Sequence, residues 1–299
     1  MTVLRWFLSG VCHQIAAHSF VVHEEALPLC ARCFGTYLGA LIGLLTWRLG
    51  RRSKATALPP VSVIVVLAVF IALWALDGFN SFLTLIPGVP YLYAPHNTLR
   101  LVTGMLNGLA LATLIHPLFN FVTWREPDPH PATPELRSLA APLAIVAFLA
   151  AVAHSEMSAT LQALALLGVA GLLMTLTLVN TTGVLVLLRR EEQADTWSDL
   201  WLPLVLGLLF TLMEISSLAL FRAWIATRGL GVGVLPGVAE MRTALFDISV
   251  PSLAFRALSC RAIPCHASSP TTPRNPSTAT NRAQHTMPLP SPPTQSIRS

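Results

Sequence analysis

Six uninterrupted apolar runs of roughly membrane-spanning length constrain this chain more than any other feature. They lie at about residues 33–49, 60–77, 97–119, 139–153, 161–188 and 200–224 of the 299-residue sequence. A helix rises 1.5 Å per residue, so about 20 apolar residues match the roughly 30 Å hydrocarbon layer. A spanning β-strand would instead alternate polar and apolar residues over about ten positions. The runs are continuous, which selects helices, whose backbone groups are satisfied internally in lipid. Composition agrees: 54% of residues are hydrophobic and 11% charged, with a mean hydropathy of +0.63. The expected fold is an all-α, polytopic membrane helical bundle of about six transmembrane helices.

The two ends read differently. Residues 1–22 combine Arg5 with a short apolar run and contain Cys12, His13, Gln14 and His18. They lack a small-residue cleavage pattern and read as an interfacial or re-entrant segment of the mature protein. Residues 256–299 are rich in Pro, Ser and Thr, without periodicity, and read as a disordered tail following a helical membrane domain over 1–255. The tail holds five arginines and no acid, which equals the whole net charge of +5. The basic balance therefore gives no reason to expect nucleic acid as a partner; the lipid bilayer is the partner the sequence implies. Cys260, Cys265 and His266 in that tail read as chance composition.

Arg48, Arg51, Arg52, Lys54, Arg125, Arg137, Arg189 and Arg190 fall in the first, third and fifth loops, whereas the second loop and the short fourth loop near Ser155 have no Lys or Arg. By the positive-inside tendency the odd loops are expected in the cytoplasm and the N-terminus on the extracytoplasmic side. Arg5, Arg32, Arg222 and Arg228 run against this bias.

Chemistry concentrates near the N-terminus. Cys12-His13-Gln14 is followed by Ser19-Phe20 and then by Pro28-Leu29-Cys30-Ala31-Arg32-Cys33-Phe34-Gly35-Thr36-Tyr37-Leu38-Gly39. Pro28 ends the preceding segment and lets a helix begin just after it. Cys30 and Cys33 then share a face near the positive end of the first span, where a thiolate is favoured. This pattern resembles the family of bacterial and archaeal membrane proteins catalogued as domain of unknown function 2085. The resemblance continues through Leu76-Asp77-Gly78 and Asn97 to Gly104 with Gly108, covering about residues 10–115. His18 stands where the family pattern has Arg. The resemblance implies a membrane protein and carries no reaction with it.

Read from the residues, Cys12, His13, Cys30 and Cys33 are the candidate ligands of a transition metal such as zinc or copper. Arg32, Asp77, Asn97, Arg100 and Asn107 form a candidate polar pocket at the same membrane face, with Asp77 and Arg100 as the expected ion pair. The alternatives are an outward-facing thiol-disulfide oxidoreductase using Cys30 and Cys33, with Cys12 as resolving thiol, and a small-solute or ion transporter lined by Asp77, Arg100 and Asn107. No inverted repeat or pair of broken helices supports the transporter. Packing alone is the plain alternative for each thiol, and Gly35, Gly39 and Gly43 read as a helix-packing face. Glu214 is the other intramembrane charge, for which a proton or ion relay is the default functional reading. Nucleotide-binding glycine loops, nucleophile elbows and zinc-protease motifs do not occur in the sequence.

Overall fold

The computed structural model describes residues 2–22, 25–50, 52–155 and 157–227. The chain divides into two units, Met1–Ile248 and Ser249–Ser299, and all described residues fall in the first. The expected tail, with Cys260, Cys265 and His266, lies outside the described residues, as do His23 and Arg228.

Among the described residues seven α-helices carry the fold: α1 (Thr2–Leu8), α2 (Ala31–Leu49), α3 (Val61–Leu83), α4 (Asn97–Thr123), α5 (Ala140–His154), α6 (Ser158–Leu187) and α7 (Trp201–Thr227). The strands described form two small pairs. In one, β1 (Val21–Val22) runs antiparallel to β2 (Glu25–Ala26); in the other, β3 (Ala55–Ala57) runs parallel to β4 (Asp128–Pro131).

By length and composition, five segments among the described residues qualify as membrane spans: Val61–Leu83, Asn97–Thr123, Leu136–His154, Ser158–Leu187 and Trp197–Thr227. Helix α2, expected as the first span, does not join them. Its 19 residues are long enough, but Arg32, Arg48, Thr36, Tyr37 and three glycines dilute its hydropathy. The reason is its position: more than half of its residues are buried against other helices. A helix wrapped by protein has little need to be apolar toward lipid.

Helices α2 and α4 form the centre, and glycine brings them together. A Cβ on Gly35 or Gly39 would run into the backbone of Leu101 or Met105 of α4, and one on Gly104 or Gly108 would meet the backbone of Arg32 or Thr36 of α2. Both helices thus give up side chains where they cross, the arrangement that lets membrane helices pack backbone to backbone. Gly171 does the same for α6 against the Tyr37 carbonyl. The expected packing role of Gly35 and Gly39 is what the structure has.

At one end the odd loops form a single cap. Asp128 donates its N–H to the Lys54 carbonyl at 3.0 Å, and Arg125 donates its N–H to the Ala194 carbonyl at 3.0 Å. Asn120, buried in α4, donates to the carbonyls of Ser53 and Ala55 at 3.1 and 2.9 Å. The Lys54 ammonium lies 4.1 Å from the centre of a Trp124 ring, and the Arg48 guanidinium 4.2 Å from that of Trp197. The opposite end holds the N-terminal segment and the cysteines.

Candidate metal centre

Cys12, Cys30 and Cys33 converge. Their three sulfurs lie within 4.8 Å of one another, with Cys12 and Cys30 buried. Two of them come together because α2 starts where the sequence places it: Cys30 caps the helix in extended backbone and Cys33 follows one turn later. Cys12 must be brought from 18 residues away, and the intervening chain is built to do so.

Gln14 makes the turn. Its backbone adopts a left-handed conformation, φ 51°, and its side-chain amide donates to the carbonyls of Arg5 and Pro28 at 2.7 and 2.8 Å. One side chain thus ties α1 to the loop that precedes α2. From the far side, Arg222 of α7 donates to the carbonyls of Ser9, Cys12 and His13 at 2.7, 2.6 and 3.0 Å. Gly10 lets this loop lie against the backbone of Ile215 and Ala219. The result delivers the Cys12 sulfur to the backbone N–H of Cys30, 3.2 Å away. Helix α1 is short and packs on α7, as an interfacial segment folded back onto the bundle.

With its protons shared inside the cluster, Cys30 is held far below the usual thiol range by hydrogen bonds from Cys12 and then Cys33. Cys12, donating to Cys30, is pushed up to about 11. A helix N-terminus also favours negative charge at the capping position.

His13 does not join the three sulfurs. Its Nε2 stands 3.5 Å from Nδ1 of His18, and the two rings meet edge to face. The backbone at Cys12-His13 is fixed by Arg222, so successive side chains diverge and only the first reaches the cluster. Burial, with Arg100 nearby, pushes His18 down to about 4, so its imidazole is neutral.

The polar residues form a network, with one change of partner. The ion pair expected between Asp77 and Arg100 forms between Asp77 and Arg32. Sequence places Asp77 at the exit of the second span, but α3 continues to Leu83, so Asp77 lies within the helix, where its carboxylate meets Arg32 of α2. Asp77 also accepts from the Tyr93 hydroxyl at 2.7 Å. Arg32 and Arg100 meet at the Ser81 hydroxyl, at 2.9 and 3.3 Å. Arg100 further donates to Asn97 Oδ1 and to the Ala17 carbonyl, at 2.8 and 3.2 Å, and Asn97 donates to the Ser19 carbonyl at 3.0 Å. Asn107, two turns further along α4, is buried and takes part in none of these hydrogen bonds. Two acceptors in this network, the Ala17 and Ser19 carbonyls, belong to the N-terminal segment.

Sequence reasoning passed over Gln14 and Arg222. Gln14 stood in the Cys-His-Gln triplet without a role, and Arg222 had a signal, since it defied the charge bias of the loops.

Residues 12–114 match the family described as Predicted membrane protein (DUF2085). The matched segment begins at Cys12 and contains all three cysteines, Arg32, Asp77, Asn97 and Arg100. It ends before α5, so Arg222 lies outside it. Two archaeal proteins are similar over this region. An uncharacterized protein of Methanocaldococcus jannaschii is 27% identical over 111 residues, 37% of this chain and 65% of that protein. One of Methanothermobacter thermautotrophicus is 28% identical over 112 residues, 38% of this chain and 90% of that protein. The chain thus spans just under two thirds of the first relative. No solved structure matches.

Proposed function

We propose that the protein is a membrane metal-binding protein whose Cys12, Cys30 and Cys33 hold one soft transition-metal ion, with zinc and copper as the candidates. The observation that carries this reading is the mutual approach of the three sulfurs within 4.8 Å. Around a common ion with bonds of about 2.3 Å, ligand sulfurs stand about 4 Å apart. Thiolate is the ligand that selects such ions. Packing alone gives no reason to recruit a thiol from 18 residues away onto the N–H of another cysteine.

In this reading Arg32, Asp77, Asn97 and Arg100 serve the site by holding residues 17–19 against α3 and α4, and Asn107 has no part in it. Metal analysis of the detergent-purified chain, alongside a count of free thiols, tests the proposal. The expected result is about one metal ion per chain, lost in each of Cys12→Ser, Cys30→Ser and Cys33→Ser. A Cys30–Cys33 disulfide that survives Cys12→Ser would favour the oxidoreductase instead. Three free thiols that never retain metal would reduce the cluster to packing.

A further inference from the structure

The proposed metal centre is short of a fourth ligand and rich in unpaired positive charge. Among the described residues, no histidine or carboxylate joins the three sulfurs. Cys12 and Cys30 are 3% and 1% exposed and Cys33 is half-buried, so water would have to reach a shared centre past Cys33. A structural zinc ion takes four ligands, and a three-ligand zinc site keeps an open position for water. A monovalent copper ion is content with three thiolates in a plane and needs no fourth group.

Charge points the same way. Arg32 is neutralised by Asp77. Among the described residues, Arg100 and Arg222 meet only neutral acceptors: a hydroxyl, an amide oxygen and a backbone carbonyl for Arg100, and three backbone carbonyls for Arg222. Among the described residues no carboxylate lies within ion-pairing distance of either. Both guanidiniums bind the N-terminal segment that carries Cys12, and Arg222 binds the Cys12 carbonyl itself. Three thiolates around a divalent ion carry one negative charge, and around a monovalent ion they carry two. Two charges are what the two arginines balance, and buried charge is costly unless it is balanced.

We infer that the site is selective for copper(I) over zinc(II), an inference that rests on the three-cysteine centre proposed above. Arg222 acts as a positioning and charge-balancing residue for it.

The test uses the full chain in detergent, anaerobic and with its thiols reduced by a phosphine. Equal amounts of copper(I), kept reduced by ascorbate, and zinc(II) are offered together, and retained metal is measured after desalting. One copper per chain, with the ultraviolet charge-transfer absorption of a copper(I) thiolate and little zinc, is the expected result. Retention of zinc in preference to copper overturns the inference while leaving a metal site in place. Retention of neither overturns both. Arg222→Gln is expected to weaken copper retention about tenfold against a chelator, a change worth about 1.4 kcal/mol, and Arg222→Lys to restore part of it by returning the charge. Equal copper retention by Gln and Lys variants that remain folded by circular dichroism removes charge balance from the account.

Discussion

Asp77 is the residue on which the cysteine end of the molecule turns. It is 2% exposed and accepts from Arg32 and from Tyr93. Removing one partner of a buried pair leaves the other charge stranded, at a cost of about 3–5 kcal/mol. Asp77→Asn should therefore lower stability by about that amount, read as a drop in the thermal unfolding midpoint of the purified chain, and should loosen residues 17–19 to proteolysis. A variant that melts with the parent would show that the Ser81 hydroxyl and the backbone carbonyl of residue 77 hold Arg32 without the carboxylate. The sequence identified these residue types and their common membrane face, but not who pairs with whom. Pairing depends on the rotation of α3 about its axis, which is set by how the helix packs against its neighbours and not by residue order along it. The same limit separated His13 from Cys12: adjacent in sequence, they diverge because Arg222 fixes the backbone between them.

Among the helices, the crossing of α2 and α4 bears the most weight, and glycines set its distance. Gly108→Ala should destabilise by about 1–3 kcal/mol, the usual cost of overpacking, because its new Cβ would meet the Thr36 backbone. Gly78→Ala on α3 is the control: nothing lies within 4 Å of a Cβ there, so the gain in helix propensity should leave stability equal or up to about 1 kcal/mol higher. Thermal melts of the two variants side by side check this, and equal destabilisation would refute the packing account. The helices themselves were legible, since apolar runs mark their existence and their ends moved by a few residues. The rank of α2 was less so. A run of four-residue-spaced glycines announces close approach, yet it does not name the partner or say that the helix is central enough to be less apolar than its neighbours.

At the scale of the whole molecule, the structure accounts for arginines that broke the charge bias. Arg32 and Arg222 are not loop charges; each is committed to hydrogen bonds within the cysteine end. Arg48, Lys54 and Arg125 gather in the cap at the other end, the end that the bias in Lys and Arg leads one to expect in the cytoplasm. Cysteine introduced at Glu126 in this cap should resist a membrane-impermeant thiol reagent in intact cells, and cysteine at the exposed Ala94 should react, each compared with the parent chain. The reverse pattern would invert the orientation. The Arg222 clamp has a further consequence, for biogenesis. The clamp joins Cys12 to a residue 210 positions later, so at about 5–20 residues per second the ribosome needs roughly 10–40 s after making Cys12 before its anchor exists. Through that interval the N-terminal loop has the Gln14 and Arg100 ties but lacks its Arg222 anchor, so the clamp at Cys12 closes late, and no nascent intermediate shorter than residue 222 can complete it.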